Sequence, residues 1–464
     1  MTAHPAVDVG ADRLTEMFDA LDGRRATSTD RPRLAVTTAP IEDDYTPGIV
    51  PAPVLAPVAF AGPLGEYATA LGPYTEASPA AILVCLLAGF GAMCGRGPHQ
   101  IISSTRHGTN LFVLLVGGTG SGRKGTAMNH ARELLSCVAP EFWCKKTGRV
   151  LSGLGSGEAL IGRLLPGQGP GQPVVPDVRL LVREPEFGGI LAVKSRDGNT
   201  LSVTLRNAWD GETLGNVTKN DSRLVGEHHV ALLAAVTADE LRDGLSRADR
   251  HNGFGNRFLF AHSERTQILP NAGRPPAQIH EDAALLLERP FARALLEREV
   301  PLSRDAATWW AQWYPAWDAL RTDDGGAGAL TQRVPAQLRR LGLVYALASG
   351  RDAVEVEDLE AAEAVTVYSE ATIAFALPAA NPLSDLAQKI LAALTLAGAV
   401  GLARAAIRDD VVRSNSVSKD AIDGALKSLH VRQLARMDRE KTTGRPREVW
   451  RLARLTPTTA GSVA

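Results

Sequence analysis

A glycine-rich segment with a lysine and several hydroxyls has the residue types needed to bind a phosphate group. Glycines allow backbone N–H groups to converge on an anion, the N-terminus of a following helix adds its dipole, and a lysine supplies a full positive charge. We predict that the whole segment contacts nucleotide phosphates. Its residues are Gly117, Gly118, Thr119, Gly120, Ser121, Gly122, Arg123, Lys124, Gly125 and Thr126.

The stretches on either side of this segment suit that role. The apolar run Leu111 to Val116 has the length and the β-branched content of a strand buried on both faces. Residues Thr126 to Leu135 follow with helical spacing, and Thr126 stands where a helix N-cap is expected. Strand, glycine-rich loop and helix in this order are typical of a phosphate-binding P-loop. An ordinary glycine-rich turn is the alternative, and the lysine and threonine favour the P-loop.

The match to the P-loop consensus G-x-x-x-x-G-K-[ST] is close but imperfect. Counting from Gly118 puts Lys124 at the lysine position. The same count places Arg123 where the second glycine belongs and Gly125 where the hydroxyl belongs. This register therefore needs a local adjustment of the loop.

A second register starts one residue earlier. Counting from Gly117 puts Gly122 in place and makes Arg123 the apparent lysine. We prefer the first register, with Lys124 as the phosphate lysine and Thr126 as the hydroxyl that binds Mg²⁺. The sequence alone leaves both registers open.

Two glutamates close a second apolar strand further along the chain. Leu180 to Val182 is predicted as a buried strand, with Glu184 and Glu186 at its C-terminal end. Ligands of parallel α/β sheets bind at that end of the strands. We therefore expect Glu184 to hold Mg²⁺ together with Thr126, and Glu186 to activate the attacking water. Either glutamate alone could be surface decoration, but two after a P-loop favour a metal and catalytic role.

Two further candidates for catalysis are a threonine and an arginine. His229 to Val236 is predicted as a third buried strand, and Thr237 at its end could contact the γ-phosphate or the attacking water. A plain helix N-cap explains Thr237 equally well. Arg250 and Arg257, in a polar and glycine-punctuated loop, are candidates for an arginine that stabilises charge on the transferring phosphoryl group. A solvated or acid-paired arginine is the ordinary alternative for each.

Composition limits the class of protein. The chain has 464 residues, enough for two or three domains, with 45% hydrophobic and 22% charged residues. A net charge of −1 excludes a globally basic nucleic-acid-binding protein, so any nucleic-acid surface must be local. The most apolar window, Ala80 to Met93, is too short for a membrane span, and no signal-peptide pattern opens the chain. We expect no membrane partner and a cytoplasmic location.

The cysteines carry no metal-binding pattern. They form no C-x-x-C pair and have no histidine at zinc spacing. We predict that they are small core residues of a protein in a reducing compartment. The four are Cys85, Cys94, Cys137 and Cys144.

The residue patterns divide the chain into five segments around an α/β P-loop core. Residues 1–57 are predicted as a disordered arm and 456–464 as a tail. Residues 58–275 are predicted as the core, which begins with a helical prelude. Residues 276–380 are predicted as a helical lid or collar, and 381–455 as a winged-helix domain.

The winged-helix prediction depends on the order of elements near the C-terminus. Three short helices are followed by two strand-like stretches that flank the basic turn 441–447. Such a wing can grip phosphates or enter a minor groove while the third helix lies in the major groove. Protein contact is the alternative, and the positive charge concentrated at the wing favours DNA. The predicted DNA-binding residues are Arg432, Arg436, Lys441, Arg445 and Arg447.

Residues from about 73 to 270 resemble a family of P-loop ATPase domains encoded by phages, plasmids and integrative elements of bacteria. Members are often encoded beside primase–polymerases and are described as primase- or helicase-like. The matching stretches, in chain order, are Gly117 to Thr126, Ser152 to Glu158, Glu184 to Phe187, Gly198 to Leu201, Trp209 to Gly211 and Gly253 to Arg257.

The resemblance implies a RecA-like or related ring-forming ATPase core that uses ATP and Mg²⁺. It favours Arg257 over Arg250 as the arginine that reaches a neighbour's site, and it implies a homo-oligomer, with a ring as one form, and a primase–polymerase as a partner. Our first hypothesis is a DNA-stimulated ATPase of a mobile genetic element that acts in replication as a helicase or initiator. The alternatives are an ATP-gated DNA-binding regulator or loader with little turnover, and a conjugation or defence ATPase.

Overall fold

The computed structural model describes most of the chain from residue 52 onward. The described residues begin slightly before the predicted boundary at residue 58, and Leu55, which is only 7% exposed, packs into the core with Ala59. Nearly all of the predicted arm and all of the predicted tail lie outside the described residues. The described ranges are 52–165, 177–196, 198–217, 222–271, 273–319, 325–377, 385–397, 400–412, 417–431, 435–440 and 447–452.

The strands are short and the helices are numerous. The strands are β1 (Pro98–Ile102), β2 (Thr105–His107), β3 (Phe112–Val116), β4 (Val150–Leu151), β5 (Arg179–Glu184), β6 (Leu214–Val217), β7 (Ser222–Val225), β8 (His229–Val236), β9 (Phe258–His262), β10 (Arg298–Glu299), β11 (Leu402–Ala403), β12 (Ala435–Glu440) and β13 (Arg447–Leu452). The helices are α1 (Gly62–Ala70), α2 (Pro79–Cys94), α3 (Lys124–Val138), α4 (Pro140–Trp143), α5 (Gly157–Leu164), α6 (Phe187–Lys194), α7 (Leu201–Asp210), α8 (Ala238–Gly244), α9 (Arg247–His251), α10 (Ala277–Ala294), α11 (Arg304–Ala319), α12 (Gly325–Leu330), α13 (Val334–Ala348), α14 (Val356–Ala376), α15 (Asp385–Ala397), α16 (Arg404–Ala406) and α17 (Lys419–Val431).

A five-stranded parallel sheet forms the centre of the protein, in the order β4-β5-β8-β3-β9. Every residue of β3, β8 and β9 is buried, as expected for parallel strands covered by helices on both faces. The strand that precedes the glycine-rich loop lies between β8 and β9, and β8 separates it from the strand that carries Glu184. This α/β architecture agrees with the fold class predicted from the sequence.

Alternate residues of the strands face two different cores. On one face, Val113 and Leu115 pack with α2, which is buried along nearly its whole length. On the other face, Phe112 and Leu114 pack with apolar residues of α5, α6 and α7. The sheet is therefore the middle layer of three, and its strand ends are left to form a site.

The helices of residues 276–380, which we predicted as a lid or collar, pack against this core. Helix α13 is buried over almost its whole length and shares the first core with α2. Helix α14 covers the free edge of β9: Ser369 Oγ accepts the Phe260 N–H at 2.8 Å, and Thr372 Oγ1 accepts the His262 N–H at 3.2 Å. These hydroxyls satisfy edge-strand donors that would otherwise be unpaired.

The C-terminal elements form a third and separate hydrophobic cluster. Helices α15 and α17 contribute Ile390, Leu394 and Leu426, and β11, β13 and β12 form an antiparallel sheet in that order. The second of the three predicted short helices is preceded by a strand, because Leu402 and Ala403 pair with β13. A short α16 and a π-helix over Ile407–Val412 then follow.

The prediction that all four cysteines are core residues holds for two of them. Cys85 and Cys94 are buried as predicted, whereas Cys137 and Cys144 are exposed, so the prediction of four core cysteines is wrong for these two. In the part of the chain that the structure describes, no helix is long and apolar enough to cross a membrane.

Candidate nucleotide-binding site

The ends of three adjacent strands bring the candidate residues to one edge of the sheet. Val116 is in register with Val236 of β8 and with His262 of β9. The residues that follow these strands, Gly117, Thr237 and Ser263, therefore leave the sheet side by side. Glu184 pairs with Ala234, two residues before the end of β8, so that its strand ends at the same edge. This is where ligands bind in parallel α/β sheets.

Ser263 fastens the glycine-rich loop to the sheet. Its N–H donates to Val116 O at 2.8 Å, and its hydroxyl donates to Gly122 O at 2.6 Å. A Cβ atom on Gly117 would lie 2.0 Å from Ser263 O, so the backbones approach too closely for any side chain there. Gly117 is therefore required by the packing of the loop against β9.

The loop is curled on itself in this structure. The N–H groups of Ser121, Gly122 and Arg123 donate to carbonyls of the loop at 2.7, 3.1 and 3.3 Å. The amides of the first turn of α3 can bind an anion, because the first amides of a helix have no intrahelical acceptor. That turn, with its dipole, is a suitable place for a phosphate group.

Lys124 is the first residue of α3 and folds back over the loop. Its ammonium donates to Gly117 O at 2.5 Å and to Gly118 O at 3.0 Å. Burial lowers the pKa of Lys124, and the negative charge of Glu240 acts in the opposite direction. The ammonium thus lies over the glycine-rich loop, where a phosphate would have to bind to be held by the α3 N-terminus.

Arg123 has a backbone conformation that glycine adopts more readily than residues with a side chain. Its φ of 45° and ψ of 24° are left-handed, which is unusual for a residue with a side chain. This conformation suits the register counted from Gly118, in which Arg123 replaces the second glycine. The Arg123 side chain forms an ion pair with Glu76, just before α2.

Glu76 also ties the loop to the segment after β9. Its Oε1 accepts the Leu269 N–H at 2.8 Å. That backbone hydrogen bond, followed by Arg123, lowers the pKa of Glu76. Glu76 was not among the site residues predicted from the sequence, and its distance of 47 positions from Arg123 left no local signal.

Gly125 and Thr126 both lie within the first turn of α3. A Cβ atom on Gly125 would meet nothing within 4 Å, so the position is sterically open to a hydroxyl-bearing residue. Thr126 is exposed, and its side chain is displaced by about 100° around the helix relative to position 125. The helix is regular here, and the unusual left-handed backbone lies in the loop, at Arg123.

The two predicted acids at the end of β5 have different surroundings. Glu184 is 8% exposed, and its Oε2 accepts the Gly153 N–H at 2.7 Å from the loop after β4. Glu186 is exposed at the N-cap of α6 and makes no capping hydrogen bond with its side chain. The Glu186 carboxylate is therefore available to water at the edge of the sheet, whereas one oxygen of Glu184 is already bonded.

Thr237 forms the N-cap of α8, which is the plainer of the two interpretations of this residue. Its hydroxyl accepts the Glu240 N–H at 3.2 Å and donates to Glu240 Oε2 at 2.9 Å, and its own N–H donates to the same oxygen at 2.9 Å. This reciprocal capping box holds Glu240 at the end of β8, the strand next to the loop strand β3. The sequence T-A-D-E predicts such a box, but we did not predict Glu240 as a site residue.

Arg257 lies at the N-terminal end of β9, away from the loop. The residue is 6% exposed, pairs with Asp210 and donates to Gly253 O. Its guanidinium group also lies 5.7 Å from the centre of the Trp209 ring. An arginine that reaches a neighbouring subunit must be exposed, so this internal ion pair does not suit the role predicted for Arg257.

Of the five predicted DNA-binding residues, two lie within the described chain. Arg436, on β12, is half-exposed, and its Nε lies 3.5 Å from Asp438 Oδ2. Arg447 begins β13 and is exposed. The other three, Arg432, Lys441 and Arg445, lie outside the described residues.

The residues at the sheet edge fit a nucleotide with Mg²⁺. Among the described residues, no group of three or more His, Cys, Asp or Glu could hold a metal ion. Mg²⁺ typically binds through one or two carboxylates, waters and the phosphates themselves, so a preformed cage is not needed. Glu184, Glu186 and Glu240 supply carboxylates beside a lysine and a helix N-terminus.

Comparison with known proteins adds little to this geometry. No model of a protein family matches the chain, and no curated protein matches its sequence. Among solved structures, a full-length MCM homolog from Methanopyrus kandleri aligns with 68% of this chain and 60% of its own length. The aligned parts are 16% identical, with a TM-score of 0.38, a likeness from which no conclusion about function follows.

Proposed function

We propose that this protein is a Mg²⁺-dependent P-loop ATPase that acts on DNA. The observation that carries this proposal is the position of Lys124. It begins a helix at the C-terminal edge of a parallel sheet, and its ammonium donates to the carbonyls of Gly117 and Gly118. A lysine, a glycine-rich loop and a helix N-terminus meet at one point, which is the arrangement that binds nucleotide phosphates.

The roles of the site residues follow from their positions. Lys124 would hold the β- and γ-phosphates, and the first-turn amides of α3 would bind the same oxygens. Thr126 and Glu184 would hold Mg²⁺, which neutralises charge on the phosphates when it is bound. Glu186, exposed and uncapped, would take a proton from the attacking water.

The proposal of DNA as the partner rests on the C-terminal segment. Its described elements are helices α15 and α17, a shorter helical segment between them, and an antiparallel sheet. This order is that of a winged helix, and the basic turn 441–447 would be its wing. With the family resemblance, it supports action in replication of a mobile genetic element, as a helicase or initiator in a homo-oligomer, with a primase–polymerase as a partner.

A second candidate function is an ATP-gated DNA-binding regulator with little turnover. It is favoured by Gly125, because the consensus hydroxyl that binds Mg²⁺ is missing from that position. The curled loop, in which Lys124 is bonded to the loop's own carbonyls, also has to open before phosphates bind. Slow hydrolysis would follow from either feature.

Steady-state ATP hydrolysis with and without single-stranded DNA separates the two functions. The first predicts turnover that DNA stimulates and that the Lys124→Ala variant lacks. The second predicts ATP binding by calorimetry with negligible turnover under both conditions. Absence of ATP binding in the wild-type protein would remove both.

A further inference from the structure

A carboxylate that the proposed roles leave unused lies beside the phosphate lysine. Glu240, in the first turn of α8, is held by the capping box with Thr237 through its Oε2. Its other oxygen, Oε1, lies 3.1 Å from the position that a Cβ atom on Gly188 would take. Gly188 is the second residue of α6, two positions after Glu186. The Glu240 carboxylate is therefore fixed at the edge of the sheet, between the first turn of α8 and the first turn of α6.

A short series of hydrogen bonds places Glu240 near Lys124. The Thr237 N–H donates to Glu240 Oε2. The carbonyl of Val236, just before Thr237, accepts the Gly117 N–H at 3.2 Å, and Gly117 O accepts the Lys124 ammonium. Burial lowers the pKa of Lys124, and the negative charge of Glu240 opposes this shift. The backbone hydrogen bond from Thr237 lowers the pKa of Glu240 most, and the positive charge of Lys124 adds to the lowering. The Lys124 ammonium donates to loop carbonyls, so the two side chains share the edge of the sheet without a direct hydrogen bond. Phosphates that bind Lys124 would therefore come close to a negative charge.

This position differs from that of the predicted metal ligand. Glu184 is turned toward the loop after β4, where it accepts the Gly153 N–H. Glu240 instead comes from the end of β8, the strand next to the loop strand β3. The acid that faces the phosphate lysine is thus supplied by β8 and α8, and the acids of β5 lie one strand further away.

We propose that Glu240 is a metal-facing carboxylate of the nucleotide site and that it makes nucleotide binding depend on Mg²⁺. This inference rests on the proposed function. Without a cation, Glu240 repels the phosphates that Lys124 attracts. With Mg²⁺ between them, the carboxylate and the phosphates are both attracted to the same cation. Each binds the cation either directly or through the waters that Mg²⁺ usually keeps.

The Glu240→Gln variant removes the charge and keeps the cap, because the carboxamide oxygen can still accept both donors of Thr237. We would measure the dissociation constant of ATP by calorimetry, once in EDTA and once in excess Mg²⁺. In EDTA the variant should bind ATP about three- to tenfold more tightly than the wild-type protein, as expected for one removed charge at a partly exposed site. In Mg²⁺ it should bind equally well or more weakly. The factor by which Mg²⁺ strengthens ATP binding should therefore fall by a similar amount in this variant.

Asp239→Asn is the matched control. Asp239 is the neighbouring acid on the same helix, its side chain is 85% exposed, and it pairs with Arg242. Its removal changes the net charge by the same amount without changing the charge next to Lys124. The Mg²⁺ enhancement should stay at the wild-type value in this variant.

A second variant covers the case in which Glu240→Gln does not fold. Glu240→Asp keeps a carboxylate that can cap α8, as Asp249 does at the equivalent position of α9. The aspartate side chain is shorter by one methylene group, so its charge lies further from the loop. We expect Mg²⁺ to strengthen ATP binding by a factor between those of the wild-type protein and Glu240→Gln. A wild-type enhancement in both Glu240 variants would overturn the inference and leave the ATPase proposal standing. Failure of the wild-type protein to bind ATP under either condition would overturn both.

Discussion

Arg123, in the glycine-rich loop, forms an ion pair with Glu76 from the segment before α2. The pair holds the side chain of the residue that occupies the consensus glycine position. It also joins the loop to Leu269, whose N–H donates to the same carboxylate. The Arg123 side chain is therefore bonded to Glu76 and not to the loop, whereas the Lys124 side chain is folded over the loop. This difference between adjacent cations leads to the first prediction.

Lys124→Ala should abolish ATP binding, and Arg123→Gly should preserve it. Lys124 is the charge over the loop, whereas glycine at position 123 restores the consensus and removes a left-handed residue that costs about 1 kcal/mol. Isothermal titration with ATP measures both affinities. The variants differ at adjacent positions and remove the same charge, so each serves as the other's control. Binding retained by Lys124→Ala and lost by Arg123→Gly would mean that the register counted from Gly117 is the right one.

Gly125→Ser should strengthen the use of Mg²⁺. The position is sterically open, and the new hydroxyl would stand where the P-loop consensus has its magnesium ligand. We expect a lower Mg²⁺ concentration for half-maximal ATP hydrolysis. Gly125→Ala is the control, because it adds the same Cβ atom without the hydroxyl. Thr126→Val tests the other candidate hydroxyl. If this variant needs the same Mg²⁺ concentration as the wild-type protein, Thr126 is not the metal hydroxyl.

Glu186→Gln should bind ATP and fail to hydrolyse it. The carboxamide keeps the shape of the side chain but cannot take a proton from water. Rapid filtration of radiolabelled ATP, followed by product analysis, measures binding and turnover separately. Glu184→Gln should instead weaken the binding of Mg²⁺, and it also changes the acceptor of the Gly153 N–H. If Glu184→Gln alone traps ATP, the roles of the two glutamates should be exchanged.

Arg257→Ala should lower the stability of the protein itself and should not act mainly through the ATPase site of a neighbouring subunit. It removes one of the two arginines that pair with Asp210, and such a hydrogen bond to a charged group contributes about 2 kcal/mol. Chemical denaturation measures the loss. Arg333→Ala is the control: Arg333 also pairs with Asp210, at 3.1 Å, but its side chain is 35% exposed, so a smaller loss is expected. A stable Arg257→Ala protein whose ATPase is restored by mixing with wild-type subunits would support the predicted finger.

Replacement of both Arg445 and Arg447 by alanine should weaken DNA binding and flatten its salt dependence. Each lost phosphate contact should lower the slope of log K against log salt by about 0.9 on duplex DNA. Fluorescence anisotropy at several salt concentrations gives the slope. A double alanine variant at Arg404 and Arg408 is the control, because these arginines pair with Asp423 and Asp409 in the same segment. If the slope is unchanged and the double variant no longer binds a protein partner, the segment is a docking domain for that partner.

The sequence by itself determined the features that depend on neighbouring residues. The strand before the loop, the loop, and the helix after it follow from an apolar run, clustered glycines and helical spacing, which are local properties of residues 111–135. The placement of Glu184 and Glu186 at the end of a strand was predictable for the same reason. The T-A-D-E pattern of Thr237 to Glu240 also specifies its capping box locally.

Tertiary structure decided which distant residues meet. The strand order places β8 beside β3, and only that neighbourhood brings Glu240 to Lys124. The burial of Arg257 depends on Asp210, 47 positions away, and the covered edge of β9 depends on hydroxyls of α14 more than 100 positions away. A loop arginine has the same local pattern whether it is solvated, paired or presented to a neighbour. Its role is set by the partners that chain packing supplies, and spacing along the sequence carries no record of them.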